Sequence, residues 1–165
     1  SVSCWFKRDG MQNNWSKMVN KGHTGNPFAS YTLEFRNSGN LTGFQTAITD
    51  TGSGYYLYRN ASQTVADGTW YSISGTYSPD TGDTTGTGRL YLNGVQQAGA
   101  FHSDEPNIHY YDDSDYPLMI GAQVDGSATF KGTIDEVRLS RVVRSSEWIR
   151  LCHENQKEEQ TLVEW

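Results

Sequence analysis

The sequence has no run of the roughly 18 apolar residues that a helix needs to cross a bilayer, so no membrane-spanning helix is read in it. Charge is scarce as well: Asp, Glu, Lys and Arg together make up 19% of the 165 residues. The 13 Lys and Arg are scattered and outnumbered by 19 Asp and Glu, which leaves a formal net charge of −6. A duplex-binding protein needs clustered cations to displace counterions from phosphates. Nucleic acid and anionic membrane surfaces are therefore poor partners.

Cysteine is nearly absent. Cys4 and Cys152 lie near opposite ends of the chain, and two thiols alone make no zinc framework. Two readings stay open for them. One is a bridge closing almost the whole domain, with a stabilisation of roughly 2–5 kcal/mol. The other is a pair of independent buried thiols.

What the chain does have is turn formers and aromatics. Its polarity (mean hydropathy −0.68) comes more from Ser, Thr, Asn, Gln and Gly than from charge. With 17 Gly, 10 Tyr and 5 Trp, it suits many short strands joined by turns rather than a helical bundle. Ser1–Lys7 places Val2, Cys4 and Phe6 on one face of a strand, and Tyr31, Leu33 and Phe35 alternate with Thr32, Glu34 and Arg36. Thr69–Tyr77 sets Trp70, Ser72, Ser74 and Thr76 against Tyr71, Ile73, Gly75 and Tyr77. Asn93-Gly94 predicts a tight hairpin, because both central residues of a type I′ turn need positive φ. Leu118–Gly121 and Gly132–Ser140 complete the series.

Only the end reads as helix, over residues 145–156. Ser145 is placed to cap it, Glu147 complements its positive N-terminus, and Trp148, Leu151, Cys152 and Asn155 are expected to share a face. The expectation is one all-β domain over residues 1–165, a two-sheet antiparallel sandwich with a short C-terminal helix. The chain opens inside a strand, as expected of a segment excised from a longer polypeptide.

Several segments in order carry a family resemblance: Val2-Ser3-Cys4-Trp5-Phe6-Lys7, Met18-Val19-Asn20-Lys21-Gly22, Asp67 to Tyr77, Arg89-Leu90-Tyr91-Leu92-Asn93-Gly94, Leu118-Met119-Ile120-Gly121, Phe130 to Ser140, and Ser145-Ser146-Glu147-Trp148-Ile149. Together they resemble a laminin G-like domain of the concanavalin A-like lectin/glucanase superfamily, in the form common among bacterial secreted and surface proteins. The resemblance implies a jelly-roll sandwich, secreted or cell-surface localisation, often a structural calcium, and binding of glycan or protein. It also implies one or two strands ahead of the aromatic opening strand, which this sequence lacks.

Signatures of chemistry are missing. A retaining glycosidase needs two carboxylates about 5–5.5 Å apart, which on a strand requires an i, i+2 or i, i+4 spacing such as Glu-x-Asp-x-x-Glu. Glu34 stands alone, and the adjacent Asp135 and Glu136 are expected on opposite faces. His23, His102, His109 and His153 have no Gly-x-Ser-x-Gly elbow to serve. No catalytic residue is assigned, and the domain is read as a non-enzyme.

The resemblance makes Asp135 the first calcium candidate, against a buried Asp bonded to nearby backbone. Asp112, Asp113 and Asp115 form a second candidate, against a solvated acidic turn. For sugar stacking, Tyr55, Tyr56, Tyr110, Tyr111 and Trp15 lie in loops or at strand ends, where packing under loops is the competing role. Trp5 and Trp70 are expected in the core. The function expected is a non-catalytic carbohydrate-binding module of a larger secreted or surface protein. The alternatives are an adhesion or spacer module contacting protein and, more remotely, a glycoside hydrolase.

Overall fold

Val2, Cys4 and Phe6 are buried, whereas Ser3, Trp5 and Lys7 between them are only partly so; period-two alternation thus fixes which face of the opening strand meets the core. The computed structural model describes residues 1–22, 31–36, 41–47, 56–77, 88–98, 101–103 and 115–159. The strands are β1 (Val2–Arg8), β2 (Lys17–Lys21), β3 (Tyr31–Arg36), β4 (Leu41–Ala47), β5 (Tyr56–Thr64), β6 (Trp70–Thr76), β7 (Arg89–Leu92), β8 (Val95–Gln96), β9 (Phe101–Ser103), β10 (Leu118–Ile120) and β11 (Gly132–Leu139). One helix among the described residues, α1 (Ser146–Gln156), follows them. Five strands form one antiparallel sheet in the order β11-β1-β6-β7-β8, and six form the other in the order β10-β2-β3-β4-β5-β9. This is a jelly-roll sandwich.

Aromatic rings knit the two sheets. Phe6 meets Phe35 edge-on at 5.6 Å between ring centres and stacks on Tyr71 at 5.7 Å, while Phe130 stacks on Phe35 at 5.9 Å. Burying each such side chain contributes roughly 1.5–3 kcal/mol. Gly75 makes room for this packing: a Cβ there would sit 2.2 Å from the Phe44 ring. The predicted hairpin forms, with Asn93 at φ 50° and Gly94 at φ 74°, and Asn93 Oδ1 accepts the Ser72 N–H at 3.0 Å.

The helix begins where the capping pattern places it. The Ser145 hydroxyl accepts the Trp148 N–H at 3.3 Å, and Glu147 lies in the first turn. Its packed face is rotated from the expected one. Leu151 is 54% exposed and Asn155 is exposed. Ile149 is buried, and Cys152, His153 and Gln156 are half-buried. The neighbour that decides this is Trp5, which presents an indole on the outer face of β1: its N–H donates to Gln156 Oε1 at 3.0 Å, and its ring stacks on His153 at 5.3 Å.

Both cysteines are free thiols. Cys4 lies in the core between the sheets, and burial pushes its thiol pKa up. Cys152 lies on the helix against the other side of that sheet, so the sheet itself separates the two sulfurs.

Two expectations from strict alternation fail at one bulge. The register of β1 on β11 runs Trp5↔Asp135 and then Ser3↔Arg138, so β11 carries one extra residue. Glu136 absorbs it at φ 52°, a left-handed conformation that costs a non-glycine residue of order 1 kcal/mol. Asp135 and Glu136 therefore line one groove instead of facing opposite ways, and Asp135 is exposed, not buried. The sheets end at β11 and β10 with apolar residues uncovered. Leu139, in register with buried Val2, is 50% exposed, and Ile120, in register with buried Val19, is 54% exposed.

Candidate functional site

Where β2 meets β3, the outer face of the six-stranded sheet carries charge. In β3 the core takes Leu33 and Phe35, so Thr32, Glu34 and Arg36 fall on the opposite face. Lys17 joins them because its register partner across β2 and β3 is Glu34. Each Glu34 oxygen has its own cation: Lys17 Nζ on Oε2 and Arg36 Nε on Oε1. Glu34 is fully buried, with Lys17 and Arg36 nearly so. Removing one member of such a set strands a charge in a low-dielectric setting, at a cost of roughly 3–5 kcal/mol.

Trp15 closes this cluster. Its main-chain N–H donates to the Phe35 carbonyl at 2.7 Å, with φ at 73°, which turns the chain over the sheet just before β2. The Arg36 guanidinium lies 3.8 Å from the centre of the indole and Lys17 Nζ 5.8 Å from it. Yet Trp15 is 42% exposed. The ring is thus pinned by cations beneath and open to solvent, with its orientation fixed in advance.

Among the other stacking candidates, Tyr56 lies in β5 with its backbone in register with Ala47. Tyr55, Tyr110 and Tyr111 lie outside the described residues. The expected ligand residues are therefore represented at this face by Trp15. Sequence reasoning left out Lys17, Glu34 and Arg36. Alternation in β3 already put Glu34 and Arg36 on one face; the Lys17 partnership needed the strand register.

For the calcium candidates, Asp135 Oδ1 accepts the Glu136 N–H at 2.8 Å, and Glu136 is held by Arg138 at 2.6 Å. Asp115 is exposed in a turn, and Asp112 and Asp113 lie outside the described residues. Among the described residues no three His, Cys, Asp or Glu side chains converge. Among the described residues Asp135 has no ligand set around it.

The laminin G model of the concanavalin A-like lectin/glucanases superfamily matches residues 1–150. The chain belongs to that superfamily. No curated protein sequence matches it. Among solved structures it is similar to the CBM40 domain of the Ruminococcus gnavus IT-sialidase, with a TM-score of 0.62 at 21% identity, covering 91% of this chain and 80% of that one. The same CBM40 domain is known bound to α2,3-sialyllactose and to α2,6-sialyllactose. A Bacteroides ovatus protein described as carbohydrate-binding also has a TM-score of 0.62, at 20% identity over 90% of this chain, which spans 39% of that protein's length. The SAP-like pentraxin of Limulus polyphemus has a TM-score of 0.57 at 14% identity, over 90% of this chain and 66% of that one. At these identities the likeness concerns the fold.

Proposed function

We propose that this laminin G-like domain is a non-catalytic glycan-binding module of a larger secreted or cell-surface protein, and that Trp15 is its stacking platform. The observation that carries this reading is the indole held over Arg36 at 3.8 Å while remaining 42% exposed. Pyranose rings present C–H faces that pack on such a surface, and a ring fixed before the ligand arrives loses little entropy on binding. The fold likeness to carbohydrate-binding modules supports the same reading.

Two features weigh against hydrolysis. Glu34 is buried between two cations, and the Glu136 carboxylate is committed to Arg138. Neither is presented as the acid or nucleophile of a glycosidase.

A glycan array probed with the labelled domain, with calcium and again with chelator, tests the proposal, followed by titration of the best ligand against Trp15→Ala. Binding that falls at least about tenfold in the variant, with an unchanged melting temperature, supports it. Absence of any glycan binding overturns it in favour of an adhesion or spacer module. Release of reducing ends from a bound polysaccharide overturns the non-catalytic assignment.

A further inference from the structure

A second concave feature lies on the opposite layer of the sandwich. Between the last turn of α1 and the outer face of the five-stranded sheet is an open groove of about 790 Å³, within the range of small-ligand sites. Trp5 and Trp70 line it, with Asp135 and Glu136 along one side, Gly68 and Thr69 along another, and His153, Gln156, Lys157 and Glu158 from the helix end. Trp70 is 39% exposed, which is unusual for the second residue of the run that otherwise reads most clearly as a buried strand.

The groove is built rather than incidental. Trp5 is fixed on two sides, by the 3.0 Å bond to Gln156 and by the ring of His153, whose Nδ1 lies 2.9 Å from the Ser72 hydroxyl. The bulge at Glu136 brings a second carboxylate to the same side of the sheet, and Gln156 and Arg138 both hydrogen-bond it. This ties the left-handed backbone, the helix end and the indole into one unit. Asp135 differs. One of its oxygens takes the Glu136 N–H, and the other has no partner among the described residues.

The charges select the occupant. Asp135 and Glu158 would repel an anionic sugar. A cationic ligand would meet Lys7, whose ammonium lies 5.2 Å from the centre of the Trp70 ring, whereas the Lys157 ammonium is already paired with Glu154. A neutral sugar meets neither obstacle: its C–H face packs on Trp70, and its hydroxyls donate to Asp135. We propose that this groove is a second carbohydrate site, separate from the Trp15 face and selective for neutral pyranose units over anionic ones.

The indole N–H signals of the five tryptophans provide the test in a heteronuclear NMR titration of the whole chain. The probes are cellotetraose, lactose and 3′-sialyllactose. Cellotetraose or lactose is expected to shift the Trp5 and Trp70 signals, and 3′-sialyllactose to leave both unmoved. Trp70→Ala and Asp135→Asn should each weaken the neutral ligand by about tenfold, read at the Trp5 signal. Asp135→Asn keeps the side-chain oxygen that accepts from Glu136, so it reports on ligand contact in a folded protein. Neutral probes that leave Trp5 and Trp70 unmoved overturn the proposal, as does wild-type affinity in both groove variants. A response at Trp70 with none at Trp15 for any glycan would retain this site while removing the function assigned to Trp15.

Discussion

Arg36 and Trp15 form a stacked pair with the guanidinium 3.8 Å from the ring centre, and the same guanidinium holds one oxygen of the buried Glu34. Arg36 is therefore a joint between the charge cluster and the platform above it. Lysine keeps the charge but not the planar fork that does both tasks at once. Arg36→Lys is expected to weaken glycan binding at Trp15 by about fivefold, measured by titration calorimetry, and to change the tryptophan fluorescence of the unliganded domain. Unchanged affinity would mean that the indole needs no support from beneath.

Glu34 is the centre of that cluster, and its loss leaves two cations buried against each other. Glu34→Ala is expected to cost about 3–5 kcal/mol in denaturant unfolding. Replacing all three charges by apolar residues of similar size (Lys17→Met, Glu34→Leu, Arg36→Met) should recover most of it. A triple variant as unstable as Glu34→Ala would show that the ion set contributes through geometry no apolar packing replaces.

The two layers differ in how much of them the sequence discloses. Alternation along Val2, Cys4 and Phe6 and along Leu33 and Phe35 is enough to name the core, since a half-buried strand has a period of two. The hairpin at Asn93-Gly94 and the helix start at Ser145 are legible because their chemistry is local. The Trp15 platform is half legible. A loop tryptophan invites the reading, but its partner Lys17 enters through the register of β2 on β3, a long-range property. The groove was hidden by the bulge, because one inserted residue at Glu136 inverts the parity that separates neighbouring carboxylates. Trp5 and Trp70, expected inside, lie on the outer face, where a helix covers only one of them.

His153 gives the domain a pH dependence. Burial lowers its pKa below the ordinary value of 6.5, with Glu154 raising it and Lys157 lowering it further. Folding thus favours the neutral ring, which stacks on Trp5. Above 6.5 neither the folded nor the unfolded chain protonates this group, and the contribution is complete. As pH falls through 6.5 the unfolded chain takes up the proton first, so stability declines until the folded value is also passed. Thermal melts at pH 8 down to pH 5 should show a steeper loss for the wild type than for His153→Gln. Parallel slopes would remove His153 as the source.

Gly75 faces Phe44 so closely that an added Cβ would lie 2.2 Å from the ring. Phe44 belongs to the core and is 4% exposed, so it has little room to move. Gly75→Ala is expected to cost about 1–3 kcal/mol through overpacking, read as a lower denaturant midpoint at unchanged slope. A neutral result would show that β6 and β4 separate easily, contrary to a tightly packed interior.

At the opposite margin the packing is incomplete. Leu118 and Ile120 on the edge strand β10 are 37% and 54% exposed, and an edge strand offers unpaired backbone groups alongside that apolar surface. Such a combination favours association between copies. Ile120→Lys is expected to reduce self-association in sedimentation at high concentration while shifting stability by less than about 1 kcal/mol, because the residue it replaces is already half in water. A large loss of stability in this variant would mean that Ile120 packs in solution against something that its present neighbours do not provide.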